Sequence, residues 1–132
     1  MTLMFTSEAV TRGIRVAVRC EYAPDRSRPA DQQWFFLYTI TITNESEETV
    51  QLLSRHWVIT NAEGEVQEVR GQGVIGQQPV ISPGESFTYS SGSSISTSFG
   101  KMEGTYLMTG PSGETFDVKI APFTLSEPYA VH

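Results

Sequence analysis

One cysteine, Cys20, stands in the 132 residues, so no internal disulfide can staple the chain and chemistry needing two local thiols is excluded. A lone thiol agrees with a reducing compartment. Long apolar runs are missing as well. Nothing approaches the ~20 residues that cross a bilayer, and the start from Met1 to Glu8 has neither the basic n-region nor the apolar stretch of a signal peptide. A cytoplasmic protein without membrane insertion is expected. Positive charge is scarce, with nine Lys and Arg against fifteen Asp and Glu and a net charge of -6, a balance that repels phosphate backbones. Nucleic acid is therefore not expected as a partner. Arg12, Arg15, Arg19, Arg26 and Arg28 crowd the N-terminal stretch and read as solvated positions on an outward strand face. Convincing helical periodicity, internal repeats and low-complexity tracts are absent too.

What the chain does have is a period of two. A hydrophobic fraction of 39% with 18% charged residues, seven Phe, five Tyr and two Trp suits one packed domain over residues 1–132. Ile14, Val16, Val18, Cys20 and Tyr22 alternate with Arg15, Arg19 and Glu21, a half-buried strand. Trp34, Phe36, Tyr38, Ile40 and Ile42 repeat the alternation against Thr39, Thr41 and Thr43, and their β-branching reinforces it. In the run from Val50 to Thr60, Val50 and Leu52 have one parity and Trp57 and Ile59 the other, which predicts a bulge or bend near Ser54 to His56. Asn61-Ala-Glu-Gly64 is a turn, with a return strand from Glu65 to Val69. Glu85 to Ser90, Thr105 to Thr109 and Thr115 to Leu125 supply three more strands. The parity switches at Pro122, which implies an edge or a bulge there. About seven strands predict an all-β, immunoglobulin-like or fibronectin type III-like sandwich of two antiparallel sheets, with a small barrel as the rival.

Gly71-Gln72-Gly73-Val74-Ile75-Gly76 matches G-x-G-x-x-G, which in dinucleotide-binding folds brings backbone amides to a pyrophosphate at a helix N-terminus. Pro79 and Pro83 follow too closely to leave room for that helix. The segment reads instead as a turning surface loop, or as a binding loop for a protein or a small anion. Arg55-His56-Trp57 lies where the parity switch could aim side chains toward a groove. A metal site finds only His56, His132 and Cys20 besides carboxylates, too few to converge, so no metal and no cofactor is expected. Glu45, Glu47 and Glu48 read as a solvated acidic turn. Cys20 falls on the apolar parity of its strand and reads as inert core, and no nucleophile with a positioned base stands out, so no enzyme is expected.

Several stretches align in order: Val50-Gln-Leu-Leu-Ser-Arg-His-Trp57, Gly71-Gln-Gly-Val-Ile-Gly-Gln-Gln-Pro79, Pro83-Gly-Glu85 with Phe87 and Tyr89, Ser91-Gly92, Gly100 to Tyr106, and Phe123 to His132. Together they closely resemble the bacterial ApaG family across nearly the whole chain. The resemblance implies a fibronectin type III-like sandwich. It also implies an association with cobalt and magnesium resistance, and kinship with interaction modules appended to some eukaryotic F-box and polymerase-interacting proteins. Ser98 stands where the family more usually has Pro, implying a looser turn before Phe99-Gly100. The functional expectation is a non-enzymatic module, a monomer or weak homo-oligomer, that binds another protein and bears only indirectly on divalent cations. Its candidate contact residues are Arg55, His56, Gly71, Gln72, Gly73, Gly76, Gln77 and Gln78. The alternative is a sensor for a divalent cation or a phosphorylated nucleotide at the glycine-rich loop.

Overall fold

The computed structural model describes residues 4–128, so His132 lies outside the described residues. Within them the alternation becomes nine strands. These are β1 (Met4–Thr11), β2 (Ile14–Tyr22), β3 (Trp34–Asn44), β4 (Val50–Asn61), β5 (Val66–Gln72), β6 (Val80–Ile81), β7 (Ser86–Ile95), β8 (Phe99–Thr109) and β9 (Thr115–Ser126). Two three-residue 3-10 turns, Pro24–Arg26 and Pro29–Asp31, join β2 to β3.

One sheet has the order β1-β2-β3-β7; the other has β5-β4-β8-β9, with β6 paired to the start of β4. All of these pairings are antiparallel. The chain passes from one sheet to the other between β3 and β4, and β7 returns to lie beside β3. This is the two-sheet, fibronectin type III-like sandwich that the alternation called for.

The count is nine rather than seven, and the two additional strands show why. Along β1 the half-buried positions are Phe5, Ser7, Ala9 and Thr11, of which only Phe5 is large and apolar, so β1 carries little of the signal on which alternation depends. β6 has two residues, below the length at which any period shows.

Between the sheets lie Ile14, Val16, Val18 and Cys20 of β2, Phe36, Tyr38, Ile40 and Ile42 of β3, Trp57 and Ile59 of β4, and Val118, Ile120, Phe123 and Leu125 of β9, all buried. Each fully buried large side chain contributes on the order of 1.5–3 kcal/mol. Trp57 is central, meeting the rings of Tyr38, Tyr106 and Phe123 at 5.5, 6.4 and 6.0 Å between centroids.

Both parity switches are bulges. Pairing with β8 steps from Leu52↔Met108 to Ser54↔Leu107, leaving Leu53 as the extra residue. The expected irregularity exists, but it falls just before Ser54 instead of within Ser54 to His56. Pairing of β8 with β9 steps from Met102↔Phe123 to Gly104↔Ile120, which places the second bulge at Ala121 and Pro122, where proline's missing donor is tolerated.

On one flank the sheets close, because the Ser7 hydroxyl donates to the Ala121 carbonyl at 2.9 Å and the Lys119 amide to the Thr11 hydroxyl at 3.1 Å. Among the described residues the opposite flank, between β5 and β7, has no ladder across it. The architecture is a sandwich and not a closed barrel.

Candidate functional site

The Leu53 bulge builds the glycine-rich loop. An extra residue leaves a backbone carbonyl outside the β4–β8 ladder, and at Leu53 that carbonyl accepts the Gly73 amide at 2.8 Å and the Gln78 side-chain amide at 2.9 Å. The Leu52 amide donates to the Pro79 carbonyl at 3.0 Å, and the Gln51 side chain to the Gln78 carbonyl at 3.1 Å. The loop is thus bound along the start of β4.

At its tip, Val74 and Gln77 exchange backbone hydrogen bonds of 2.8 and 2.9 Å around Ile75-Gly76. With φ of 43° at Ile75 and 77° at Gly76, this is a two-residue turn of type I′. Val74 is buried beneath it, whereas Ile75 is 53% exposed. Gly73, at φ 62°, is required for another reason: a Cβ there would lie 2.3 Å from the Gln77 carbonyl oxygen. Gln72, Gly73, Gly76, Gln77 and Gln78 line an open hollow of about 280 Å³.

The amides of Gly73, Val74 and Gln77 are committed to the turn and to β4, and β6 follows the loop in place of a helix. Among the described residues no helix follows the loop, so it lacks the helix dipole on which a pyrophosphate cradle of the G-x-G-x-x-G type relies.

Arg55 and His56, neighbours in sequence, point to opposite faces. After the bulge, Arg55 shares the inward parity of Trp57 and Ile59. Its guanidinium lies over Gly71, donating from one terminal nitrogen to the Gln72 and Gly73 carbonyls at 3.0 and 2.8 Å. A Cβ at Gly71 would come within 2.8 Å of that guanidinium, so Gly71 is the residue that lets Arg55 reach the loop. His56 faces outward, its Nε2 lying 2.7 Å from a Glu68 carboxylate oxygen, which Arg70 also approaches at 3.5 Å. These partners, His56 first, hold the Glu68 carboxyl below the usual carboxylate range. The structure therefore gathers Arg55 with Gly71, Gln72, Gly73, Gly76, Gln77 and Gln78, whereas the His56 side chain pairs with Glu68 and lines a different hollow, which Arg55 and Gly71 border. Sequence reasoning passed over Leu53, Gln51 and Ile75; a β-branched residue directly before a turn glycine is the signal that could have found the last.

Elsewhere the reactive side chains are spoken for. Burial pushes the Cys20 thiol up to about 12. Tyr89 of β7 and Tyr106 of β8 join hydroxyls across the two sheets, and burial raises both above the ordinary phenol value. In the acidic turn, Arg15 donates to Glu45 at 2.8 and 3.1 Å and also binds Glu8. Asn44, fully buried, donates to the Glu48 and Ile81 carbonyls at 2.7 and 2.9 Å.

Residues 24–110 match the ApaG domain. The chain belongs to the ApaG family. It is 53% identical over 120 residues to Protein ApaG of Bradyrhizobium sp. (strain ORS 278), covering 91% of this chain and 92% of that one. Against Protein ApaG of Pseudomonas entomophila it is 53% identical over 119 residues, covering 90% and 94%. A crystal structure of a Bordetella pertussis protein given the name ApaA is similar, with a TM-score of 0.85 at 48% identity over 89% of this chain and 95% of that one. The ApaG sandwich described above is thus that of a solved relative. Among the described residues no helix is long and apolar enough to cross a membrane.

Proposed function

We propose that this chain is a non-enzymatic module that binds another protein through the loop from Gly71 to Pro79. Ile75 carries the reading. A β-branched side chain at positive φ costs about 1–2 kcal/mol, and here that cost falls on an apolar residue that is 53% exposed. Strain kept at an exposed apolar tip gains nothing for the fold, while a tip that seats in a partner gives it a purpose. Around it, Gln72, Gln77 and Gln78 supply amide donors and acceptors without charge, which suits a protein surface. Burial of Cys20, which raises its thiol, supports a role without covalent chemistry. Any bearing on cobalt or magnesium would then pass through the partner.

Ile75→Asn tests this, because Asn-Gly is the favoured type I′ pair. The substitution should raise Tm by roughly 3–5 °C, for a gain of about 1 kcal/mol. It should also weaken recovery of the partner in pull-downs from the source cells, as should Gln77→Ala. Recovery unchanged by both substitutions would overturn the reading.

A further inference from the structure

Four strands end the two sheets, and three of them are protected against pairing with another chain. β1 and β9 cover each other through the Ser7 and Thr11 contacts, and β9 carries Asp117, Lys119 and a bulge at Pro122. β5 carries Glu68 and Arg70 and turns away at Gly73. β7 has none of these devices. It runs ten residues, Ser86-Phe-Thr-Tyr-Ser-Ser-Gly-Ser-Ser-Ile95, without a charge, a proline or a break in its register with β3. Charges, prolines and bulges are how soluble proteins keep an edge from acting as a template.

The free groups can be assigned. The Asn44 amide donates to the Glu85 carbonyl, so the antiparallel alternation turns the odd-numbered residues of β7 toward β3. The amides and carbonyls of Ser86, Thr88, Ser90, Gly92 and Ser94 face the open flank. Their own side chains do not cap them: the hydroxyls of Ser86, Thr88 and Ser90 pair with those of Thr43, Thr41 and Thr39 at 2.8, 3.2 and 2.9 Å.

Two features of the opening between β7 and β5 say what would lie there. The Arg55 guanidinium lies at the end of β5, on the Gln72 and Gly73 carbonyls, and points in between the sheets toward the Tyr89 and Tyr106 hydroxyls, which its charge acts upon. Among the described residues it forms no ion pair, and only one of its terminal nitrogens is hydrogen-bonded. Further along the same opening, Ile59 and Val66 of one sheet and Ile95 of the other line a hollow of about 200 Å³ together with Asn61, Glu65, Gln67 and Ser96, the Asn61 side chain donating to Glu65 and Ser96. Arg55 and Ile59 are four residues apart on β4, on the order of 13 Å at the rise of a strand.

We propose that β7 is a docking edge for an extended segment of a partner protein, which adds as a fifth strand to the first sheet and sets an Asp or Glu side chain against Arg55 and, about four residues away, an aliphatic side chain in the Ile59–Val66–Ile95 hollow. Main-chain bonds to the five free residues supply affinity, and the two alternate side chains supply selection. A second copy fits less well: another β7 brings no carboxylate to Arg55, and pairing sets two chains of charge -6 against each other. The proposal rests on the reading of this chain as a protein-binding module but uses a surface distinct from the Gly71–Pro79 loop, so the two can fail separately.

The test selects nine-residue peptides from a random displayed library against the full chain, then titrates the winners into the isotopically labelled protein. Enriched peptides should carry Asp or Glu followed or preceded at four to six positions by Val, Ile or Leu, and should shift the amides of Ser86, Thr88, Ser90, Gly92 and Ser94. Thr88→Pro removes an edge donor and no main-chain bond to β3, and Ser90→Lys adds charge on the solvent face; each gives up one exposed hydroxyl pair with β3, and each should weaken binding at least tenfold while the protein stays folded, with Tm lowered by no more than a few degrees. Arg55→Met should abolish the acidic preference. Ile75→Asn should leave peptide binding unchanged. Peptides lacking the acidic preference, or shifting only the Gly71–Pro79 amides, would overturn the proposal. So would binding indifferent to both Thr88→Pro and Ser90→Lys. A peptide-free dimer lost on Thr88→Pro would assign the edge to a second copy and overturn the occupant.

Discussion

Tyr106 shows how much one polar atom can weigh inside an apolar interior. Its ring is completely buried, and its hydroxyl is joined to that of Tyr89 on the facing sheet. Tyr106→Phe keeps the ring and orphans the Tyr89 hydroxyl, which should cost about 1–3 kcal/mol. Adding Tyr89→Phe removes the orphan, so the double variant should recover part of that loss. Urea unfolding of the four proteins measures the coupling, and strict additivity would contradict a direct bond. Residue-scale facts of this sort were only partly legible in the chain: the period of two placed Tyr38, Trp57 and Cys20 in the core, but nothing in it pairs Tyr89 with Tyr106. His56 was grouped with Arg55 for a related reason. A bulge anywhere between Leu52 and Trp57 reconciles the two parities, and only its actual position at Leu53 decides that Arg55 points in and His56 out.

At the level of elements, the loop and β4 are one unit, and its two glycines should respond unequally to a methyl group. At Gly71 the new Cβ meets the end of the flexible Arg55 side chain, which can swing aside and lose its carbonyl bonds, so Gly71→Ala should cost about 1 kcal/mol. At Gly73 it meets the Gln77 backbone at positive φ, so Gly73→Ala should cost about 2–3 kcal/mol or more. Denaturation midpoints in the reverse order would contradict the geometry. Strong elements were readable from the start, because β2 and β3 alternate large apolar residues with polar ones over nine and eleven residues. β1 was not, since Ser7, Ala9 and Thr11 reveal their inward side only once β9 is seen against them. The glycines announced a loop, but its anchor, the Leu53 carbonyl, is a backbone atom that any residue would supply.

Across the whole molecule, stability should fall away on both sides of neutral pH. The carboxyls of Glu45, Glu68 and Glu114 are held below the ordinary range, chiefly by hydrogen bonds from Arg15, His56 and Ser112. Their unfolded forms take up protons first, so their contribution is complete above about pH 4.3 and is lost as the pH falls through the lower folded values. Cys20, Tyr89 and Tyr106 are raised by burial. Their contribution is complete below the unfolded values, about 8.5 for the thiol and 10 for the phenols, and is lost as the pH rises toward the folded ones. Tm measured from pH 3 to 11 should show a plateau between two declines, and Glu45→Gln should flatten the acid limb. An acid limb that is flat in the parent protein would refute the carboxylate account. The closed flank has a further consequence. Because Ser7 meets Ala121 and Thr11 meets Lys119, β1 and β9 run antiparallel, and Met4 and Ser126 leave the sandwich at one pole. Leu53, which holds the glycine-rich loop, lies near the other, beyond the middle of strands about 30 Å long. A domain tethered by its ends would therefore carry the glycine-rich loop in the half away from its attachment.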